Sequence, residues 1–417
     1  MRLDNNRIET IRNNLFQHQS KLQHLLLDSN SLHTIEEAAF KGLEELLHLS
    51  LKKNNLHTLP DDSLWSPAKL KKLFLSENKL SSLTENVFSA LPRLEQLSLS
   101  HNNLRELHKD IFRTQAEALT QLDLSENALT WLPQTIFSRL PELRILDISH
   151  NNIDSFHTQL FKSLHKLREL YMHSNNIKEL PHPCFEGLGK LEVLHLQHNL
   201  VESFSHNNLL GLTDLRIFKM HSNRLRGLPL GVLDPLGSLE VLDLSYNDIS
   251  RVEGDTPFSS LTRLKHLNFS HNFLLELKDN LFEKQIKLQS LKLNDNRLQV
   301  VGDTCLDKLT VLEEIDLSGN WLQRLSQSIF TMNSQLRSLK LSGNPLSYMS
   351  RDLFNGLDSL EELFLNNTCL SEIDDNLFKS LNTSLLKLYL QNNHMTSLSD
   401  GIFSGLSVLV ELNLAHN

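Results

Sequence analysis

The repeat that organises this chain first appears whole in Leu22-Gln23-His24-Leu25-Leu26-Leu27-Asp28-Ser29-Asn30-Ser31-Leu32. This stretch fits the pattern L-x-x-L-x-L-x-x-N-x-L at every specified position. The asparagine recurs at positions 6, 30, 54, 78, 102, 127, 151, 175, 199, 223, 247, 272, 296, 320, 344, 393 and 417, and Thr368 takes its place in one further repeat. Of the 17 intervals between these 18 positions, 14 are 24 residues long and three are 25. Such a period predicts a solenoid, in which each repeat buries its apolar side chains against its neighbours.

A second marker, usually phenylalanine, follows the asparagine by ten residues, or by eleven in the repeat of Asn247. It is Phe at positions 16, 40, 88, 112, 137, 161, 185, 258, 282, 330, 354, 378 and 403, and it is replaced by Leu64, Leu209, Leu233 and Leu306. The L-x-L segment predicts a short strand whose leucines point inward. The asparagine is expected to turn the chain and to bond backbone groups, and the Phe column is expected to pack behind the sheet. We therefore predict an α/β solenoid, a horseshoe of about 17 repeats of 24 residues with a parallel β-sheet on its concave face.

The composition argues against several classes of protein. The 417 residues include only 14 Gly and 11 Pro, and the formal net charge of −9 is mild. The sequence shows no basic stripe, so no nucleic-acid partner is expected. It also lacks an apolar run of about 18 residues that could span a membrane. Met1 is followed at once by Arg2, Leu3 and Asp4, without the features of a signal peptide.

Only three cysteines occur, which is too few for a disulfide-dense fold. Cys184 and Cys305 occupy the same repeat position five repeats apart, which places them about 24 Å from each other along the stack. A disulfide requires Cα atoms within about 7 Å, so this pair is not expected to bond. Cys369 occupies a different position. All three are expected to be small apolar side chains that are buried or half-buried.

The 24-residue unit L-x-x-L-x-L-x-x-N-x-L-x-x-L-x-x-x-x-F-x-x-L resembles the "typical" leucine-rich repeats of animal extracellular proteins. Over its whole length, residues 1–417, the array is similar to chaoptin and connectin and to the ectodomains of Toll-like receptors and Slit. The resemblance implies cell-surface or secreted placement. Those families usually flank the array with cysteine-rich caps, which this sequence lacks. We therefore expect this chain to be a single continuous array and a fragment of a longer protein. The N- and C-terminal caps, the signal peptide and the membrane anchor are expected in segments outside this chain.

Function in such a scaffold is expected on the strand residues that face outward. In the column three residues before the second strand leucine, all four apolar residues fall within five consecutive repeats. Together with their neighbours they predict a protein-binding surface, formed by Ile145, Asp147, Tyr171, His173, Val193, His195, Ile217, Lys219, His221 and Val241. Phe364 and Tyr389 form a second, smaller candidate. The alternative interpretation, that β-branched residues simply favour strands, stays open.

Other chemistry is weakly indicated. Neighbouring histidines (173, 195, 198 and 221) admit a metal site or a pH-dependent interface, but solvated surface histidines are the favoured interpretation. No metal or other cofactor is expected. The sequence contains no nucleophile-elbow, phosphate-loop or zinc-protease motif, so no enzymatic activity is expected. Three N-x-[ST] triplets are candidates for N-glycosylation, at Asn268, Asn366 and Asn382. Asn382, in the inserted loop of a 25-residue repeat, is expected to be the most accessible.

These observations predict a protein-binding recognition module of a cell-surface or secreted protein. It is expected to act in cell adhesion or receptor–ligand recognition through the concave face. The expected partner is a protein ligand or a partner receptor, and a second copy of the same protein is one form of such a partner. An innate-immune pattern-recognition ectodomain is the alternative, followed by an intracellular scaffold.

Overall fold

A computed structural model describes residues 1–115 and 117–417. They form two compact units. Unit 1 comprises Met1–Val201 with Asn207–Leu215, and unit 2 comprises Glu202–His206 with Arg216–Asn417. The single array over residues 1–417 stays a prediction.

Unit 1 is a stack of short parallel strands. Its three-residue strands pair in register, and their middle residue is buried, as alternation of side chains across a strand requires. A pair of two-residue strands, β1 and β3, lies outside this sheet. The strands are β1 (Thr10–Ile11), β2 (His24–Leu26), β3 (Thr34–Ile35), β4 (His48–Ser50), β5 (Lys72–Phe74), β6 (Gln96–Ser98), β7 (Gln121–Asp123), β8 (Ile145–Asp147), β9 (Glu169–Tyr171) and β10 (Val193–His195).

Unit 2 repeats the same architecture. Its three-residue strands also pair in parallel, and two-residue strands pair outside the sheet as β12 with β14 and β16 with β18. The strands are β11 (Ile217–Lys219), β12 (Gly227–Leu228), β13 (Val241–Asp243), β14 (Arg251–Val252), β15 (His266–Asn268), β16 (Glu276–Leu277), β17 (Ser290–Lys292), β18 (Val300–Val301), β19 (Glu314–Asp316), β20 (Ser338–Lys340), β21 (Glu362–Phe364), β22 (Lys387–Tyr389) and β23 (Glu411–Asn413).

The predicted solenoid of parallel-strand turns is confirmed. Its helical content is small, because the helical segments in the described residues are the 3-10 turns Asp61–Leu64 and Lys379–Leu381. None of the described helices is long and apolar enough to cross a membrane. The solenoid therefore consists almost entirely of short strands and the turns between them.

The phenylalanine column packs behind the sheet as predicted. In unit 1 the rings of Phe137 and Phe161 stack with centroids 6.4 Å apart. In unit 2 the rings of Phe354 and Phe378 stack at 6.2 Å. These four side chains are almost completely buried. Aromatic side chains contribute large apolar areas, so this column joins each repeat to the next.

The asparagine column bonds successive repeats to each other. The Asn54 side-chain amide donates to the carbonyl of Leu51 in its own repeat and to that of Leu27 in the preceding repeat, each at 3.0 Å. Its Oδ1 accepts the backbone N–H of Leu32 at 3.0 Å. Without such partners a buried backbone group would cost about 1–3 kcal/mol. This confirms the expected role of the asparagine.

Thr368 interrupts that column in unit 2. Its hydroxyl donates to the carbonyl of Leu365 at 2.7 Å, within the same repeat. In other repeats the column asparagine Oδ1 accepts a backbone N–H of the preceding repeat, as Asn54 does from Leu32. Here the equivalent N–H, that of Leu346, donates instead to the carbonyl of Asn344 at 2.8 Å. The asparagine of the next repeat, Asn393, accepts the N–H of Thr368 at 3.0 Å. The link that an asparagine would make to the preceding repeat is therefore replaced by bonds within each of the two repeats, while the link to the next repeat is kept.

The residue before each column asparagine adopts a left-handed backbone conformation. We call this set the turn-edge row, and its φ values range from 51° at His150 to 68° at Gly343. Glycine, which adopts such angles without strain, occupies the row only at Gly319 and Gly343. Elsewhere the row carries side chains such as histidine, serine, glutamate and tyrosine.

The expectation for the cysteines is confirmed for two of the three. Cys184 and Cys305 are buried, and loss of solvent raises the pKa of each thiol to about 12. Cys369 is exposed, so the prediction that it is buried or half-buried was wrong. It follows Thr368 in the interrupted repeat and has a left-handed φ of 62°. The local backbone thus departs from that of the other repeats at this position.

Candidate protein-binding surface

The predicted surface residues face outward from their strands or lie on the turn beside them, and all are half-buried. Unit 1 holds Ile145, Asp147, Tyr171, His173, Val193 and His195, and unit 2 holds Ile217, Lys219, His221 and Val241. The structure therefore brings each subset together within its unit. Their union into one surface stays a prediction.

In unit 1, Tyr171, His173 and His195 form a ring cluster, which we call the Tyr–His cluster. Tyr171 and His195 are partners in the register of β9 and β10, and their rings meet edge to face at 5.0 Å and 81°. The His173 ring lies 6.0 Å from that of His195 and 6.4 Å from that of Tyr171. His150 extends the cluster along the turn edge, with its ring 5.0 Å from that of His173. The arrangement is a preformed aromatic surface.

A carboxylate fixes the orientation of the central ring. The Tyr171 hydroxyl donates to Glu169 Oε2 at 2.7 Å. Burial, the hydrogen bond to Glu169 and the charge of that carboxylate together raise the pKa of Tyr171 well above its ordinary value. The phenol therefore stays protonated at neutral pH and keeps its donor. Ile145 and Val193 are the register partners of Glu169 on either side, so apolar side chains flank this carboxylate.

Asp147 adds a second acidic group beside the cluster. It is the register partner of Tyr171 across β8 and β9. Burial raises the pKa of Asp147, although the N–H and hydroxyl of Ser149 donate to its Oδ1 at 2.9 and 2.6 Å and act in the opposite direction. The Asp147 carboxylate is thus held by its own turn and is less available to an incoming partner.

In unit 2, β11 and β13 carry the remaining predicted residues. Ile217 pairs in register with Val241, and Lys219 pairs with Asp243. His221 Nδ1 lies 3.2 Å from the hydroxyl of Ser222. The apolar pair and the charged pair lie in adjacent columns, as the sequence pattern predicted.

Further along the turn edge of unit 2 a ring stack occurs. The rings of Tyr246 and His271 lie almost parallel, with centroids 4.0 Å apart and an angle of 16°. His271 Nε2 is 3.4 Å from Asp295 Oδ2. The sequence analysis missed this stack, because the two residues lie in different repeats and only their rotamers make them meet.

The second candidate, Phe364 with Tyr389, forms a stacked pair that we call the aromatic stack. The residues are register partners in β21 and β22, and their rings lie 4.7 Å apart at 11°. Lys340 Nζ is 5.9 Å from the centre of the Phe364 ring and 2.8 Å from Glu314 Oε1. Burial lowers the pKa of Lys340, but the hydrogen bond to Glu314 and nearby carboxylates outweigh it and raise the pKa overall. Ion pairs therefore frame this site.

A third ring cluster, on β2, β4 and β5 of unit 1, was missed from sequence. The His48 ring contacts that of Phe74 at 5.2 Å and that of His24 at 5.9 Å, and Lys52 Nζ lies 4.4 Å above the Phe74 ring. Burial lowers the pKa of His48, and the nearby positive charges of His24 and Lys72 lower it further. Phe74 occupies the same outward column as Tyr171, so the signal was present in the sequence.

Two features outside the strands were also missed. The Arg297 guanidinium lies 4.2 Å from the ring centre of Phe273 and 5.9 Å from that of Trp321. Each of these three residues directly follows the column asparagine of its repeat, and the three repeats are consecutive. In unit 1, the side-chain atoms of Glu85, His108 and Asp110 that could bind a metal ion lie within 4.8 Å of one another. His108 Nδ1 already lies 3.3 Å from both Glu85 Oε2 and the backbone nitrogen of Asp110.

The three candidate glycosylation sites differ in exposure. Asn382 is exposed, whereas Asn268 and Asn366 are half-buried. Asn268 Oδ1 accepts the N–H and hydroxyl of Ser270 at 3.0 and 2.8 Å. Asn366 Oδ1 accepts the hydroxyl of Ser342 at 2.6 Å. The structure agrees with the expected accessibility of Asn382, and glycosylation itself stays a prediction.

Comparison with known families gives a match along almost the whole chain. The pattern of the family described as Leucine rich repeat matches residues 1–56, 48–104, 117–177, 166–225, 214–274, 262–322, 286–346, 312–370, 334–394 and 360–417. No curated protein matches the chain.

Several solved structures have a similar fold. A leucine-rich-repeat protein of Leptospira interrogans is 25% identical with a TM-score of 0.73, and the match covers 97% of this chain and 93% of that one. The Toll–Spatzle complex of Drosophila gives 22% identity and a TM-score of 0.83, over 92% of this chain and 52% of the other. YopM from Yersinia enterocolitica is 23% identical with a TM-score of 0.66, and the match covers 99% of this chain and 76% of that one. The chain thus spans about half the length of the Toll structure that it matches.

Proposed function

The chain belongs to the leucine-rich-repeat family, and from this premise we propose that it is a protein-recognition module of a cell-surface or secreted protein. It binds a protein ligand or a partner receptor through the outward residues of its strands. The role is adhesion or receptor–ligand recognition, and a second copy of the chain is one such partner. The fold is typical of protein-interaction modules.

The observation that carries this proposal is the Tyr–His cluster. Its three rings are half-buried and in mutual contact, and the hydrogen bond to Glu169 already orients Tyr171. Side chains that are ordered before binding lose less conformational entropy when a partner docks. Tyrosine is also among the residues that contribute most to binding energy at protein interfaces. The apolar residues Ile145 and Val193 beside a polar rim complete a composition suited to a protein partner.

The likeness to Toll supports the fold alone, since the identity is 22%. That structure is described as a complex of Toll with Spatzle, in development and innate immunity. An immune-receptor role is therefore the alternative within the same class of function. The similar bacterial proteins have the same fold, so the fold does not discriminate between these settings.

A binding screen tests the proposal. The purified chain is applied to an array of extracellular domains from its own source, with the chain itself included. We expect at least one saturable partner, and we expect the double variant Tyr171→Ala with His195→Ala to bind it roughly tenfold more weakly or worse. The matched control is Gln96→Ala with Gln121→Ala, which changes the same face of unit 1 outside the cluster and should leave binding unchanged.

Two outcomes would contradict the proposal. One is the absence of any saturable partner on the array. The other is a partner whose affinity the Tyr171 and His195 variant leaves unaltered while its thermal midpoint matches the wild type. Binding to immobilised copies of the chain would assign homophilic adhesion, and binding to a soluble ligand would favour the receptor role.

Cell-surface or secreted placement is tested separately by glycosylation. We propose that Asn382 carries an N-linked glycan in the native protein, because it is the exposed member of the three candidates. Treatment of the native protein with a peptide N-glycosidase should increase its mobility in gel electrophoresis. Asn382→Gln should reduce the shift, and Gln at the half-buried Asn366 should reduce it less. A native protein without any glycan would favour the intracellular scaffold.

A further inference from the structure

Unit 2 contains an apolar cavity of about 250 Å³ between two adjacent repeats. It lies behind the sheet, between the repeat that begins at Asn247 and the one that begins at Asn272. Its walls include Val252, Phe258, Phe269, Leu277, Phe282 and Leu293. The rings of Phe258 and Phe282 stack at 5.8 Å, and that of Phe269 is tilted against Phe258 at 5.9 Å. Three phenylalanine rings therefore line one side.

The cavity lies where the pairing behind the sheet is interrupted. Strand β14 pairs with β12, and β16 pairs with β18, but in the part of the chain that the structure describes β14 and β16 form separate two-stranded sheets. Each of these strands contributes residues to the cavity wall, among them Val252 and Leu277. The gap between the two pairs is thus part of the backbone arrangement.

An inserted residue lies beside this gap. In the repeat of Asn247 the phenylalanine follows the asparagine by eleven residues instead of ten. The residue before the column phenylalanine, or before the leucine that replaces it, is a buried apolar side chain in most other repeats, for example Ile136, Leu160, Ile329 and Leu353. In the two repeats around the cavity it is Pro257 or Leu281, and both are only half-buried. Two consecutive repeats therefore leave unfilled the space that this side chain fills elsewhere.

The mouth of the cavity is exposed and electrically balanced. Leu275, Arg251, Glu276 and Lys278 line it and are exposed. Arg251 is also 3.6 Å from Glu253. The lining thus carries two positive charges and one negative charge, and Glu253 beside it pairs with Arg251, so the entrance has little net charge. A ligand with a net charge gains little from such an entrance, whereas an apolar chain or ring gains from burial against the walls.

We propose that this cavity binds a neutral small molecule with an apolar chain or ring. An engineered apolar cavity of about 150 Å³ remains free of water and takes up benzene. The larger cavity of unit 2 accommodates a larger ring or a medium-length alkyl chain. This site is independent of the sheet surface proposed above for protein recognition.

Titration with 1-decanol tests the proposal. By calorimetry on the full chain we expect saturable binding at one molecule per chain and a rise in the thermal midpoint when 1-decanol is present. Leu281→Trp adds volume at the wall and should weaken binding roughly tenfold or more. Ile286→Trp is the matched control, because Ile286 is 56% exposed and does not line the cavity, and it should bind 1-decanol as the wild type does.

The outcomes that would overturn the proposal are distinct. Non-saturable binding of 1-decanol by the wild type excludes the site. So does unchanged binding by Leu281→Trp when its thermal midpoint without ligand equals that of the wild type. If Leu281→Trp is unstable, Val252→Phe fills the cavity from the opposite repeat. Unchanged binding of 1-decanol by a stable Val252→Phe variant would likewise exclude the site. Tighter binding of decanoate than of 1-decanol would overturn the preference for a neutral ligand.

Discussion

The Tyr–His cluster of unit 1 and the aromatic stack of unit 2 occupy equivalent outward positions but are held differently. The cluster combines edge-to-face rings with imidazoles and is oriented by Glu169. The stack consists of two nearly parallel rings framed by the pairs Lys340–Glu314 and Lys387–Glu362, each at 2.8 Å.

The framework beneath the two sites also differs. Below the Tyr–His cluster the asparagine column is continuous, and Asn175 bonds the carbonyls of Ile148 and Met172 at 3.0 and 3.1 Å. The aromatic stack lies in the part of unit 2 where Thr368 interrupts the column. Strand register is nonetheless kept on both sides of Thr368. The leucine and phenylalanine core is thus sufficient for register, and the asparagine column adds stability.

The largest expected effect tests that separation of roles. Asn175→Ala removes the three contacts that its amide donates to backbone carbonyls and the acceptor of the Ile153 N–H at 3.0 Å, and it leaves buried backbone groups unpaired. We expect a loss of about 2–4 kcal/mol in the free energy of unfolding, measured by urea denaturation. Thr368→Val removes a hydroxyl that lies 2.7 Å from the carbonyl of Leu365 and 2.9 Å from Asn393 Oδ1; both acceptors keep other partners, so the variant should cost about 1 kcal/mol. Equal losses in the two variants would refute the comparison.

Restoring the column is expected to have a smaller effect of opposite sign. Thr368→Asn places an amide where it can bond the preceding repeat, and we expect a gain of about 0.5–1 kcal/mol. Hydrogen–deuterium exchange should show slower exchange in β20 and β21 and no change in β9. A destabilised variant would mean that the bond between the Leu346 N–H and the Asn344 carbonyl is the better local solution.

Acid should weaken the ion-paired frame of the aromatic stack. Burial raises the pKa of Glu314, but the hydrogen bond and charge of Lys340 outweigh it and lower the pKa below its ordinary 4.5. The stability from this pair is therefore present above pH 4.5 and is lost as pH falls through the folded-state pKa. The advantage of wild type over Lys340→Gln should be below about 1 kcal/mol at pH 6 and smaller at pH 3.5. Lys308→Gln serves as the control, and a difference independent of pH would contradict this account.

The smallest expected effect concerns His48 in unit 1. Its folded-state pKa lies below the ordinary 6.5, so the neutral ring is favoured by folding. The associated stability is present above pH 6.5 and is lost as pH falls toward the folded-state pKa. Because the ring is partly exposed, the effect should be a few tenths of a kcal/mol. His48→Gln should lose less stability than the wild type between pH 7.5 and 5.5 in urea denaturation, and a greater loss would reverse the assigned direction.

The sequence was sufficient to predict the framework because each framework residue repeats. The residues equivalent to Leu25 and Asn54 have the same role in nearly every repeat, so their roles follow from position alone. Cys369 was mispredicted because it lies in the one repeat that lacks the asparagine, where the rule for the other repeats fails.

The sites were only partly predictable for a different reason. The column pattern placed Tyr171 and His195 side by side, but their edge-to-face contact and the bond from Tyr171 to Glu169 depend on side-chain rotamers. The stack of Tyr246 on His271 joins two repeats in the same way. The cavity lies beside one inserted residue before Phe258. Counting residues reveals the insertion, but it does not reveal the unfilled volume next to it.

The left-handed angles of the turn-edge row imply an unusual tolerance to substitution along the turn edge of each unit. A side chain in this conformation carries a steric penalty of about 1–2 kcal/mol that glycine avoids, although glycine also gains freedom in the unfolded chain. Replacing His150 or Tyr246 by glycine should consequently erase the side chain with little net change in stability. The turn-edge row of each unit can therefore change repeat by repeat while the interior remains the same.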